Sequence, residues 1–433
     1  MKYDIFSKTA PAMPKPGRGT EFVKLATSQA SRDMREVLLP MAFPALAAHL
    51  ADVKFTYSDN KSYEMCGQMG HLIGPSGTGK AQHTHLVEAI MHSFRSHDET
   101  ELGKLVDWQR QVKTKGANKE KPERPDVAFW FPPADVTNPA FIQNAMALER
   151  QGKRAQYLNL PEVEMADRMC GGHRQVSQMV RNIYDCQRAG ALRATADGVT
   201  GNPVLRVNIT FTSTPEAARQ FYRKDLTNGF FGRIPFAYKP RGERLGRIPR
   251  QGTYGPAVTG KLDGYLQRLD GCRGCFTVKP LNKVADELAE EMASLADLAD
   301  DDMLWELSHR SIFSAWKKGA VLWILNGQRW AHSIGDFVAW FCYFDLWSKV
   351  QVFGDMFKGG EAPEEDESKS RPRNMLESLD GTFSEHQLEA LRLQMGKSKE
   401  GTAHQLSVWK NRGFITYSAQ TGLYTKTAGR REK

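Results

Sequence analysis

Gly74-Pro75-Ser76-Gly77-Thr78-Gly79-Lys80 follows the apolar run Met69-Gly70-His71-Leu72-Ile73 and precedes a helical pattern, so the stretch reads as strand, glycine loop and helix. Glycines let a loop wrap a polyphosphate with its backbone N–H groups, the following helix N-terminus adds positive potential, and Lys80 can reach the β and γ phosphates. The expectation is a P-loop that binds ATP through Gly74, Pro75, Ser76, Gly77, Thr78, Gly79, Lys80 and Ala81; the alternative is a Gly/Ser turn between two elements. Position 81 is Ala, where the motif carries a Ser or Thr hydroxyl for Mg²⁺. Either another group or water fills that metal position, or Mg²⁺ is held weakly. Thr84, a turn farther along, is a poor substitute.

The chain has 433 residues, 40% hydrophobic and 25% charged, enough for two or three domains and a sizeable core. No apolar run approaches the roughly 18 residues of a membrane helix and the N-terminus lacks an apolar signal core, so no membrane partner and a cytoplasmic location are expected. Six irregularly spaced cysteines argue against a disulfide framework. Cys170 with His173 and Cys272 with Cys275 have the spacing of zinc half-sites; the competing reading is two glycine-rich turns. The net charge of +9 is uneven: residues 369–433 carry 12 Lys and Arg against 6 Asp and Glu, which suggests an anionic polymer as partner.

In chain order, residues 1–32 read as a flexible basic lead-in rich in Pro and Gly. Residues 37–50 are helix-like around two prolines and feed a strand at 53–58. After the loop helix comes a charge-rich stretch, then a strand at 127–131 and a helix capped by Thr137 or Asn138 with Pro139 in its first turn. The run Gln156 to Leu160 is a strand ending in Pro161-Glu162-Val163-Glu164, where Glu162 would serve the Mg²⁺ shell and Glu164 or Glu162 would polarise the attacking water; the alternative is a surface strand end. Residues 204–214 alternate as a strand and end in hydroxyls, so Thr212 or Thr214 could position water near the γ phosphate, as on the strand between the other two in ring ATPases, or could simply cap. Arg233, in Gly229-Phe230-Phe231-Gly232-Arg233, is a candidate arginine finger for a neighbouring subunit's nucleotide or a structural cation paired with a carboxylate.

Taken together, Gly74 to Lys80, Ala134-Asp135-Val136-Thr137, Pro161-Glu162-Val163-Glu164, Tyr184-Asp185, Asn208 to Pro215 and Gly229 to Arg233 resemble an uncharacterised family of P-loop proteins of bacterial plasmids, phages and mobilisable elements. Its members often stand beside primase modules and are usually described as helicase- or primase-related. The resemblance spans roughly residues 37–346. It implies a nucleotide-binding core with Lys80 at the phosphates, Glu162 and Glu164 at metal or water, and Arg233 as the finger.

Beyond Arg250 the pattern turns helical, with an amphipathic helix at 281–298 and two more through 308–325 and 337–352. These would form a helical lid over the nucleotide with Arg310 as its phosphate sensor, their Trp and Phe residues reading as helix core ahead of a base-stacking platform. An acidic linker at 359–372 sets off a C-terminal module: a first helix at 375–379, a second at 384–395 capped by Ser384, a third at 402–412, and a hairpin. That is the order of a winged helix, with Thr402, His404, Gln405, Ser407, Lys410 and Arg412 presented to a major groove, or else a module for protein contacts. The predicted organisation is therefore α/β: a lead-in at 1–32, a P-loop NTPase core of RecA/AAA+-like sheet at 33–250, a lid at 251–358, the linker, and a winged helix at 373–433. The predicted activity is an ATPase using ATP and Mg²⁺, a DNA helicase of a mobile element working as a homo-oligomer, a ring such as a hexamer, with a primase on a separate chain as a further partner. An ATP-switched DNA-binding initiator and a catalytically weak scaffold that recruits a primase or relaxase are the alternatives.

Overall fold

The computed structural model describes residues 3–114, 122–152, 154–193, 198–226, 229–242, 250–358 and 375–427, so the expected linker at 359–372 lies outside the described residues. Helices α1 (Glu21–Ala26) and α2 (Arg35–Ala48) precede strands β1 (Val53–Thr56), β2 (Ser62–Glu64) and β3 (Met69–Ile73). There follow α3 (Gln82–Ile90), α4 (His92–Thr114), α5 (Asn138–Arg150), β4 (Gln156–Leu160), α6 (Met165–Cys170), α7 (His173–Tyr184), β5 (Val207–Ser213), α8 (Pro215–Tyr222), α9 (Phe230–Arg233) and β6 (Phe236–Tyr238). A helical stretch adds α10 (Pro256–Asp270), β7 (Gly274–Phe276), α11 (Lys279–Ala299), α12 (Asp302–Leu325) and α13 (His332–Phe353). The C-terminal unit holds β8 (Thr382–Phe383), α14 (Glu385–Gln394), α15 (Thr402–Asn411), β9 (Ile415–Ser418) and β10 (Leu423–Lys426).

The fold is α/β. All five residues of β3 are buried, as expected of a strand covered on both faces, and it lies inside a four-stranded sheet of order β4-β5-β3-β6 whose ladders are all parallel. Parallel neighbours cannot be joined by a tight turn, which is why helices separate every pair of these strands in the chain. From β3 the chain crosses over β5 to reach β4; from β5 it crosses back over β3 to reach β6. Crossovers in opposite directions, each following the right-handed rule, put their helices on opposite faces and leave a crevice at the carboxyl ends of β3 and β5. A smaller sheet, β2-β1-β7, flanks this core.

Helix α2 is buried from Val37 to Ala48 and packs across β3 and β5, so the apolar run 37–50 is a core helix despite Pro40 and Pro44 inside it. A Cβ on Gly70, the second residue of β3, would stand 2.8 Å from the Met41 sulfur, so a side chain there would displace the end of Met41.

Several expectations change. Residues 127–131 are extended but form no strand: the Asn144 side chain bonds both Phe129 N and Phe129 O, and the Asp98 carboxylate accepts from Trp130 N and Phe131 N at 2.8 and 2.6 Å. Side chains thus satisfy most of these backbone groups, and one bond, from Tyr157 N to Trp130 O at 2.9 Å, reaches β4. The stretch read as a flexible lead-in is docked from residue 3 onward. Ile5, Phe22, Val23 and Ala26 are buried, and Trp340 and Trp347 donate their indole N–H groups to Pro11 O and Ser7 O.

Nor do the helices of 251–358 form a separate lid, because they share one continuous apolar core with the sheet. Asp345 of α13 accepts from Phe236 N at 2.7 Å and from Ser311 and Lys349, fixing β6 from below with a buried ion pair. Trp316, Trp340 and Trp347 are fully buried, which leaves none of the three for base stacking. In the C-terminal unit, residues 375–379 are turns around the buried Met375, where a first helix was expected. Ser384 caps α14 in a full capping box with Gln387, as its position predicts. A separate small core of Met375, Phe383, Leu388, Leu406, Trp409 and Ile415 holds this unit together.

Phe22 is 2% exposed and packs edge-on against Tyr265. Phe22→Ala is expected to cost about 3 to 5 kcal/mol in chemical denaturation. An unchanged unfolding midpoint would return the N-terminal segment to the status of a loose lead-in.

Candidate phosphate-binding site

Residues 74–81 leave the carboxyl end of β3 and turn into α3. Gly77 and Gly79 have φ of +77° and +87°, a region in which a side chain is strained. Lys80 curls back over the loop and donates to Gly74 O at 2.5 Å and Pro75 O at 2.9 Å, while Thr78 donates to Pro75 O. Partial burial lowers the Lys80 pKa. The ammonium therefore sits within the turn itself, where a phosphate on the loop would meet it.

Register brings other expected residues to the same edge. Leu72 pairs with Thr212, Ile73 with Ser213, and Phe211 with Leu160, so continuing the β4 ladder by two residues sets Glu162 level with Ile73. The strand bearing the glutamates is not adjacent to β3; β5 lies between them, a separation of about 10 Å. Glu162 and Glu164 are exposed. Thr212 is tied down, its hydroxyl donating to Pro161 O, and the Thr214 side chain caps α8 by accepting from Ala217 N.

Arg233 and Arg310 lie at the opposite edge of the sheet. Arg233 stands just before β6, and a Cβ on the neighbouring Gly232 would lie 3.4 Å from Arg310 Cγ. Arg233 donates to Gly229 O at 2.7 Å, approaches Asp185 at 3.5 Å and lies over the Tyr184 ring. Burial, and then the Arg310 charge, lower its pKa. The five residues of β3 separate this cluster from the glycine loop by about 15 Å. Arg310 is thus no phosphate sensor for the loop of its own chain, and the lid that would have carried it is part of the core.

Several residues at the loop were not read as site residues from the sequence. Lys239, the first residue after β6, donates its backbone N–H to Ile73 O at 2.7 Å and its ammonium lies 3.2 Å from Asp33. Asp33 accepts from Ser31 Oγ at 2.8 Å, and Ser31 exchanges two 2.9 Å bonds with the side chain of Gln82, the first residue of α3. Burial would raise the Asp33 pKa, but the bonds from Ser31 and Lys239 outweigh it and lower it. Beneath the loop, His71 of β3 bridges Ser213 and Tyr222 at 2.8 and 2.9 Å. The Ser213 hydroxyl donates to Thr214 O, so His71 Nε2 carries the proton toward Ser213 and Nδ1 accepts from Tyr222.

The donor set for a metal is thin. Among the described residues no group of three or more His, Cys, Asp or Glu could hold an ion, and Ala81 offers no hydroxyl. The exposed carboxylates nearest the loop edge are those of Asp33, Glu162 and Glu164. The zinc reading finds no support among the described residues either: Cys272 is buried against Gln328, Cys275 lies in β7 near Ser62, Cys170 is buried with its pKa pushed up to about 12, and the His173 side chain is outside the described residues.

The C-terminal helix expected to enter a groove is partly occupied within the chain. Thr402 and Gln405 are buried; Gln405 and Trp409 both donate to Asp297 O, at 2.8 and 3.0 Å, and Arg412 Nε lies 2.8 Å from the Asp297 carboxylate. Arg392 and Lys397 close on Asp300 at the C-terminal end of α11, where cations are favoured. His404, Ser407 and Lys410 remain exposed. No helix of the described residues is long and apolar enough to cross a membrane.

Comparison with known protein families and with curated proteins finds no match for this chain.

Burial lowers His71 to about 3 and His83 to about 4, against an ordinary value near 6.5. The unfolded chain takes up these protons first as pH falls. Their stabilisation is therefore complete above pH 6.5 and is lost toward pH 4, at up to about 1.4 kcal/mol per pH unit per histidine. Urea unfolding at pH 7 and pH 5 should show His83→Gln with a shallower pH dependence than wild type; parallel slopes would contradict a neutral, buried His83.

Proposed function

We propose that this chain is an ATP-driven, DNA-associated motor of the P-loop class, a helicase-like protein that works as an oligomer. The observation that carries the reading is the glycine loop at the carboxyl end of the central parallel strand, with the Lys80 ammonium inside its turn. Support also comes from the strand order, in which the hydroxyl-ended β5 lies between the loop strand and the strand followed by Glu162 and Glu164. Bound there, ATP would supply the phosphoanhydride whose cleavage drives the motor. Backbone N–H groups of the loop would orient the phosphates, and Lys80 would stabilise charge developing on the transferred group. Glu162 or Glu164, exposed at the same edge, would orient water. No step is assigned to Mg²⁺. Arg233, a strand length away, could act only on a neighbouring subunit's nucleotide, which is the reason to expect an assembly.

For the C-terminal unit we read a winged helix whose DNA face is the exposed stripe His404, Ser407 and Lys410, with Gln405 and Arg412 joining it once α15 leaves α11. A second reading, an ATP-switched DNA binder with little turnover, is favoured by Ala81 and by this docking.

Steady-state ATP hydrolysis by wild type and Lys80→Ala, with and without single-stranded and duplex DNA, tests the motor. Hydrolysis stimulated by DNA and reduced at least about 100-fold in the variant is expected. No hydrolysis above the variant, with nucleotide and DNA binding intact, would leave the switch. On the DNA side, Asp297→Ala combined with Asp300→Ala should tighten duplex binding and steepen its salt dependence by freeing Arg412, Arg392 and Lys397. Unchanged affinity would make α15 a protein-contact element.

A further inference from the structure

We propose that Lys239 is a second phosphate-binding cation of the glycine loop, held by Asp33 until a phosphate takes the place of that carboxylate. The inference rests on the reading of the loop as a nucleotide site.

Position carries the first part. The backbone of Lys239 is bonded to Ile73 O, the last residue before the loop, and a Cβ on Gly74 would stand 3.2 Å from Lys239 Cβ. Lys80, from the other side, reaches Gly74 O at 2.5 Å. Two lysines therefore converge on one glycine, both from the carboxyl end of the parallel pair β3 and β6. From that root the four-carbon stem carries the ammonium to within 3.2 Å of the Asp33 carboxylate. Lys239 is only 8% exposed, so its charge acts in a poorly screened setting.

The company Lys239 keeps carries the second part. Its partner Asp33 is half exposed and 3.2 Å away, so the pair can be exchanged for a stronger anion. Asp33 is in turn bonded through Ser31 to Gln82 at the start of α3, the helix whose N-terminus faces the loop. The loop is thus ringed by a hydrogen-bonded chain running Gln82, Ser31, Asp33, Lys239, and a phosphate that draws Lys239 away from Asp33 would release the N-terminal segment's grip on that ring.

Charge carries the third. A triphosphate brings several negative charges, and the usual protein hydroxyl for its cation is missing at Ala81. Glu162 and Glu164, exposed at the same edge, add negative charge there. A second lysine is the available way to balance the terminal phosphate, and a diphosphate, lacking that group, would gain little from it.

Equilibrium binding of fluorescent ATP and ADP analogues, with and without Mg²⁺, is the test, using the full chain as wild type, Lys80→Ala, Lys239→Met, Lys239→Arg and Asp33→Asn, with Tm measured for each. Lys239→Met is expected to weaken the triphosphate at least about tenfold while moving the diphosphate less than about threefold. Lys239→Arg should retain most of the triphosphate affinity. Asp33→Asn should tighten it, and this variant carries the test if Lys239→Met fails to fold. Wild-type binding that depends on Lys80 but is indifferent to Lys239→Met, or Asp33→Asn binding no tighter than wild type, overturns the inference and leaves the nucleotide reading standing. So does a loss of both nucleotides in proportion to a fall in Tm, which would make the pair a strap between segments. Binding by wild type that is absent, or unaffected by Lys80→Ala, overturns the reading of the loop and this inference with it.

Discussion

A parallel ladder forbids short connections, and the rest of this molecule follows from that constraint. With β4, β5, β3 and β6 all running one way, every link between them must return along a face of the sheet, and every carboxyl end must open onto the same edge. The glycine loop, Thr212, Glu162 and Lys239 are gathered there by this geometry from segments as far apart as residues 74 and 239. The amino edge gathers a different set by the same rule: Asp185, Arg233 and Arg310, clustered around the Tyr184 ring. One sheet thus separates the edge that carries the glycine loop from an edge that carries Arg233 and Arg310.

What could be read locally was read well. The β3 run, the loop, the helix start at Thr137, the hydroxyl-ended β5, the Ser384 cap and the C-terminal hairpin are each encoded within about a dozen residues. What escaped depends on distant partners. Lys239 looks like any residue after a short strand until β6 is known to lie beside β3. The aromatic run 127–131 has strand composition, yet Asn144 and Asp98 satisfy its backbone first. The Pro- and Gly-rich start of the chain resembles a loose leader because nothing near it in sequence covers Ile5 or Phe22; Trp340 and Trp347, more than 300 residues on, hold its carbonyls. The occupied face of α15 was invisible for the same reason, since its acidic partners Asp297 and Asp300 lie on another helix.

The cations are worth comparing. Lys80 is bonded to loop carbonyls, Lys239 to Asp33, and Arg392, Lys397 and Arg412 to the end of α11. Each is engaged within the chain, and each engagement involves the kind of oxygen that a phosphate would replace. Any anion that met these cations would have to replace an internal charge-assisted bond, so its net gain would be the difference between the two.

The bonds from Trp347 to Ser7 and from Trp340 to Pro11 span 340 and 329 residues. During synthesis the first residues must wait for nearly the last of the core helices to leave the ribosome before they can dock. Ser31 and Asp33, farther along the chain, bond instead to Gln82 at the start of α3 and to Lys239 after β6. A chain interrupted before α13 would leave the carbonyls of Ser7 and Pro11 without their indole donors, so the N-terminal segment is the part of the fold that closes last.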